Sequence, residues 1–113
     1  MPKIMTVKPQ KNRTLNLSET LHEIEVECDT LKETLLAKNR DYGNSALEVP
    51  LLLPNSSVET AVKVRTSDKI KRLQRLLGGS EQQVKNESID DTIGDLAGYC
   101  ILWLIIRKHI SVK

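Results

Sequence analysis

Glu87, Asp91 and Asp95 stand at i, i+4 and i+8 in the stretch Glu87-Ser88-Ile89-Asp90-Asp91-Thr92-Ile93-Gly94-Asp95-Leu96-Ala97-Gly98-Tyr99. On a helix that spacing lines three carboxylates along one face. Hard oxygen ligands on a rigid frame suit Mg²⁺. Glu87, Asp91 and Asp95 are therefore a candidate divalent-metal site. A helix-start cluster favoured by the macrodipole would account for Glu87 and Asp90. It accounts poorly for Asp95, which sits two turns in beside Ile93 and Leu96. An acid there needs a cation from another helix or a metal ion.

Cations with matching order stand upstream. Arg65, Lys69 and Arg72 fall at i, i+4 and i+7 with Asp68 beside them. Such a stripe is ordinarily a solvated face. Next to an acidic helix it also suits polyphosphate, with Lys acting as a point charge and Arg as a fork. A third group, Lys38-Asn39-Arg40-Asp41-Tyr42-Gly43-Asn44, puts a cation, a carboxylate and a phenol at a helix exit. His22 and His109 lack ligand spacing. The chain has no Ser/His/Asp or Cys/His arrangement, no P-loop and no dinucleotide fingerprint.

These groups need helices to hold them. The 113 residues suffice for one domain with a modest core, and with no Phe, one Trp and two Tyr that core must be Leu, Ile and Val. Residues 1–16 read as an arm that is loose or contacts a partner, and 17–113 as a single all-α domain. Leu17, Leu21, Ile24, Cys28, Leu31 and Leu35 alternate steps of four and three, predicting an amphipathic helix from Leu17 to Lys38. Asn16 is its expected N-cap, with Glu19 completing a capping box. Glu19, Glu23, Glu27 and Glu33 lie off the stripe as a solvated face, one or two of them able to turn toward a metal.

Pro50 and Pro54 bracket Leu51-Leu52-Leu53, which are expected to pack over a neighbouring helix or subunit. A second helix is predicted from Ser57 to the Gly78-Gly79 stop, burying Val58, Val62, Ile70, Leu73 and Leu77. Gly78 to Asn86 is a polar loop and a candidate lid. The last helix is predicted from Glu87 to Ile110. Gly94 and Gly98 share one of its faces and suggest close approach of a backbone or ligand. Its end is apolar nearly all round, so homo-oligomerisation through this C-terminal helix, as a dimer or tetramer, is expected.

A formal charge of +2 is too small to argue for duplex nucleic acid. The uncharged run Leu96 to Ile106 falls short of the roughly 20 residues that span a bilayer. Met1 to Gln10 has no signal-peptide core. Cys28 and Cys100 sit at apolar-periodic positions and read as buried, reduced thiols. A cytoplasmic protein without a membrane partner is the expectation.

Three ordered blocks carry a resemblance: Lys38 to Gly43, Arg65-Thr66-Ser67-Asp68-Lys69-Ile70-Lys71-Arg72-Leu73, and Glu87 to Tyr99. Together they resemble the phage-associated "nucleotide modification associated domain 1" family, itself similar to the MazG-like all-α NTP pyrophosphatases. The similarity covers roughly residues 17 to 108. It implies a MazG-like bundle of three to four helices and Mg²⁺-dependent hydrolysis of a nucleoside triphosphate to monophosphate and pyrophosphate. Such enzymes carry an ExxE pair on an early helix and an ExxD pair on a later one. Glu87-Ser88-Ile89-Asp90 matches the later pair, with Asp91 and Asp95 continuing the acidic face, so the resemblance implies Glu87, Asp90, Asp91 and Asp95 as metal ligands and Glu87, Asp91 and Asp95 as the catalytic acids. The first helix has no two glutamates three apart, and Asp41 stands as the substitute metal ligand.

By that resemblance Lys38, Asn39, Tyr42, Arg65, Lys69, Arg72 and Tyr99 form the nucleotide site, with cations on the phosphates and a tyrosine on the base or sugar. The alternative is an oligomer that binds a nucleotide or cyclic nucleotide without turnover, sequestering it to counter host defence signalling.

Overall fold

Asn16 starts the first helix as its sequence requires. Its side chain accepts the Glu19 N–H at 2.8 Å, and the Glu19 carboxylate accepts the Asn16 N–H at 3.0 Å. Arg13 braces the same carboxylate at 3.2 Å. The computed structural model describes residues 13–79 and 86–110. The arm before Arg13 and most of the candidate lid lie outside the described residues.

Three helices, with no strand among the described residues, make the all-α fold: α1 Leu17–Tyr42, α2 Val58–Leu77 and α3 Asn86–Ile105. A 3₁₀ turn, Ser45–Leu47, lies between α1 and α2, and a π turn, Ile106–Ile110, extends α3. No helix among the described residues is long and apolar enough to cross a membrane.

The first helix continues past Lys38 to Tyr42, because nothing between Asn39 and Tyr42 forbids it. It stops where the backbone turns left-handed at Gly43 (φ 61°) and Asn44 (φ 72°). Glycine and asparagine are the residues that accept this conformation. The Gly43 N–H then reaches the Arg40 carbonyl and the Asn44 N–H the Asn39 carbonyl, satisfying the helix end.

Ser57 caps α2 by accepting the Thr60 N–H at 2.9 Å. Facing pairs show how α2 meets α3: Arg72 with Thr92, Lys69 with Asp95 and Glu59 with Trp103. Numbers fall on one helix as they rise on the other, so the two run antiparallel. The core lies along this seam, at Ala61, Val62, Leu76, Leu102 and Ile106, with Thr66 and Thr92 also buried.

Ile70 and Leu77 were expected inside but are exposed at 44% and 64%. The buried line of α2 instead runs through Ala61, Val62, Thr66 and Leu76, with Lys69 half-buried beside it, and the two polar residues can enter because each finds a partner. Thr66 Oγ1 donates to the Val62 carbonyl at 2.7 Å, and Lys69 meets Asp95. A strictly apolar template misplaces the stripe.

One further expectation is corrected and two are narrowed. Leu51 and Leu52 are 91% and 87% exposed, so they do not pack over a helix of their own chain. The segment is folded into turns, with the Leu53 N–H bonded to the Pro50 carbonyl and Ser56 to the Leu53 carbonyl, and these leave the leucines pointing outward. Cys28 and Cys100 are free as expected but exposed rather than buried, because no described residue covers those faces. Of the two glycines, only Gly98 marks a close approach. A Cβ there would stand 3.4 Å from Leu35 Cδ1, a side chain rather than a backbone, whereas Gly94 faces open space.

Candidate functional site

The chain's charge chemistry gathers where all three helices meet. Asp95 on α3 receives Lys38 of α1 on one carboxylate oxygen at 3.3 Å and Lys69 of α2 on the other at 3.2 Å. Two of these residues came from the cation groups and one from the acid column. The capped end of α1 sets Lys38, the antiparallel seam sets Lys69, and Leu35 against Gly98 holds α1 close to α3 one turn further along.

Asp95 is a third exposed. Burial pushes its carboxyl upward. The hydrogen bonds and charges of Lys69 and Lys38 together outweigh that and hold it below the ordinary carboxylate value. A lowered folded value means the ionised pair stabilises the fold above the unfolded pKa, near 4, and that the contribution is lost as pH falls through the folded value. Asp95→Asn is therefore expected to lower stability at neutral pH and to flatten its loss on acidification. Chemical denaturation between about pH 6 and pH 3 checks this; parallel curves for the two proteins would refute it.

One turn from Asp95, Thr92 is 2% exposed and accepts Arg72 Nε at 3.1 Å. Arg72 is thus fixed on the same edge as Lys69. Arg65 and Tyr99, both half-buried, occupy the next rung of the α2–α3 ladder beyond Lys69 and Asp95. At the end of α1, Asn39 donates to Asn44 at 3.1 Å. Asp41 and Tyr42 are exposed there.

The acid column is less gathered. Asp90 and Asp91 are exposed, and the Glu87 side chain lies outside the described residues. Among the described residues, no three His, Cys, Asp or Glu side chains come together as metal ligands. The side chains brought together are Lys38, Lys69 and Asp95.

Two residues escaped notice in the sequence. Glu59 accepts Trp103 Nε1 at 2.8 Å and Arg107 at 3.0 Å, tying α2 to the end of α3. Thr92 was masked by the acids around it. Its signal was a small hydroxyl at a seam position, which survives burial only with a partner.

The sequence profile of the nucleotide modification associated domain 1 family matches residues 38–106. That is more than half of the chain. The chain belongs to this family. Its matched span begins at Lys38 and takes in the whole Lys38–Lys69–Asp95 junction. It leaves most of α1 outside.

The chain is also similar to a fungal protein, "pH-response regulator protein palA/RIM20" of Pyricularia oryzae (strain 70-15 / ATCC MYA-4617 / FGSC 8958), with 35% identity over 66 residues. Those residues are 58% of this chain but only 8% of that protein, so the chain spans a small fraction of this relative's length. No solved structure matches the chain.

Proposed function

We propose that the chain binds a nucleoside triphosphate through the Lys38–Lys69–Asp95 junction and, with Mg²⁺, hydrolyses it to monophosphate and pyrophosphate. The observation that carries this is the convergence of two ammonium groups from different helices on one partly exposed carboxylate. A polyphosphate carries several negative charges where Asp95 carries one, so it competes well for both ammoniums. Asp95 is then the positioning residue: it holds Lys38 and Lys69 in register before the phosphates arrive. Arg72, fixed by Thr92, extends the cationic edge, and Arg65 and Tyr99 lie on the rung where a sugar or base would fall.

The donor set fits Mg²⁺ in one way. Asp95 is committed to two lysines, so a closed protein cage is not on offer among the described residues. Mg²⁺ commonly keeps several waters and takes one or two carboxylates plus substrate phosphates. Asp91, with Glu87 and Asp90 on the same helix, would supply those carboxylates, and Asp41 is the acid available from α1. When bound, the ion would neutralise the triphosphate and orient water for attack at the α-phosphorus. The relation to MazG-like pyrophosphatases, a phage setting and assembly into a homo-oligomer belong to the same proposal.

Asp91→Asn is expected to abolish Mg²⁺-dependent turnover while leaving the helical circular dichroism unchanged. Full activity in that variant would remove Asp91 from the site. A second reading has one observation in its favour: the described acids do not cluster, which suits retention of a nucleotide or cyclic nucleotide without hydrolysis. Incubating the protein with a nucleotide panel and Mg²⁺, with chromatography for products and equilibrium dialysis for retention, separates the two. Pyrophosphate release supports hydrolysis and retention of intact nucleotide supports sequestration. If neither occurs, both fail.

A further inference from the structure

The buried hydroxyls of Thr66 and Thr92 bond in different directions. Thr66 donates to the Val62 carbonyl of its own helix at 2.7 Å. Thr92, at 2% exposure, accepts Arg72 Nε across the α2–α3 seam at 3.1 Å. Valine has nearly the same shape as threonine and no hydroxyl whose desolvation must be offset. An oxygen at position 92 does what valine cannot: it holds Arg72. Arg72 is exposed on α2, so an arginine at the surface is tied by one nitrogen to an oxygen in the seam. The guanidinium is rigid and planar, and fixing Nε restricts the plane in which its other N–H groups lie.

The cations also have a direction along α2. Arg72 lies three residues beyond Lys69, an advance of roughly 4.5 Å, and Arg65 lies four residues before it, roughly 6 Å the other way. Lys38 joins Lys69 on Asp95 between those two ends. Both ammoniums are point charges that hold any phosphate, whereas a fixed fork matches the oxygens of one phosphate bidentately.

We propose that Arg72 receives the terminal phosphate of a triphosphate, that Thr92 is the positioning residue of that arginine, and that this end of the site tells a triphosphate from a diphosphate. The inference rests on the triphosphate reading of the Lys38–Lys69–Asp95 junction and gives it a polarity. With the sugar toward Arg65 and Tyr99, the phosphates nearest the sugar meet Lys38 and Lys69, and the next one along falls to Arg72. A diphosphate in the same pose ends at the junction. Thr92 acts before binding: by ordering the arginine in the free protein it removes part of the ordering cost that a loose side chain brings to a complex. Were the Arg72–Thr92 bond only a tie between two helices, its loss would weaken every ligand of the junction alike.

Isothermal titration calorimetry of the full chain with sodium tripolyphosphate and with sodium pyrophosphate, both without Mg²⁺, tests this. The two salts differ by one phosphate and carry no base. Arg72→Gln is expected to reduce the ratio of tripolyphosphate to pyrophosphate affinity at least about tenfold, the loss of one charged, hydrogen-bonded contact. Thr92→Val should reduce the same ratio about threefold or more, and Thr92→Ser, which keeps the oxygen, should keep the wild-type ratio. A ratio unmoved in Arg72→Gln, a Thr92→Val protein that weakens both salts equally, or a Thr92→Ser protein no better than Thr92→Val overturns the proposal. So does a wild type that binds neither salt. Should Thr92→Val lose its helical circular dichroism, Thr92→Ala replaces it, and Arg72→Gln, at an exposed position, judges the terminal-phosphate contact by itself. The nucleotide panel tests the underlying reading separately. A protein that retains triphosphates there but shows no Arg72-dependent ratio keeps the proposed function and loses this inference, and one that retains no nucleotide loses both.

Discussion

A protein carrying Lys38→Met and Lys69→Met together is expected to retain nucleoside triphosphates at least about 100-fold more weakly than wild type. Hydrogen bonds to charged groups contribute roughly 1.5–3 kcal/mol each, and every 1.4 kcal/mol is tenfold in affinity. Methionine keeps much of the lysine stem, so the apolar packing of both side chains survives and the charge is what changes. The substitution also strands Asp95, whose carboxyl then feels its partial burial without either cation. The double variant should therefore lose some stability, between the roughly 0–1 kcal/mol of an exposed pair and the roughly 3–5 kcal/mol of a buried one. Asp95→Asn provides the contrast: it frees the same two lysines without removing them, so binding should persist with less order in the cation pair. Equilibrium dialysis with a triphosphate and Mg²⁺ reads both variants. Unchanged retention in the double variant, with its helicity intact, would place the phosphates elsewhere.

Local signals made the helices legible. Asn16 with Glu19, Ser57, and Gly43 followed by Asn44 act through their own backbone neighbours, so sequence suffices to place the ends they set. The α1 stripe was legible as a pattern but not as a burial. Leu17 to Cys28 has the spacing of a packed face, yet a period cannot say whether the packing partner belongs to the same chain. The seam of α2 was misplaced because Thr66 and Lys69 enter it, and a polar residue inside is explained only by a partner that the linear sequence does not reveal.

The site was legible in the same uneven way. Lys38, Lys69 and Asp95 were each named from residue type and spacing. Which of them meet depends on how three helices cross. Asp95 had two possible partners, a cation from another helix or a metal ion, and the fold supplies cations from two helices. That outcome follows from tertiary geometry: the α2–α3 register brings Lys69 level with Asp95, and the α1 crossing at Gly98 brings Lys38 to the other oxygen. Glu59 and Thr92 have their partners 44 and 20 residues away along the chain, which no local pattern encodes.

Ile106→Ala is expected to cost about 2–5 kcal/mol, the usual range for deleting a fully buried aliphatic side chain. Ile106 and Val62 are the largest completely buried side chains, both at 0% exposure. Ile106 continues the buried line of Gly98 and Leu102 in steps of four, where α3 passes into its π turn. Arg107, the next residue, reaches Glu59 at 3.0 Å. Against a total stability of roughly 5–15 kcal/mol the loss is large, and at about 4–8 °C per kcal/mol it should lower Tm by roughly 8–40 °C. Ile105 is the internal control. It is the same residue type one position earlier, but 37% exposed, so Ile105→Ala should cost well under half as much. Thermal melts of the two variants compare them directly. Equal losses would mean that the end of α3 faces α2 in a different register, and the Glu59–Arg107 contact would have to be abandoned with it.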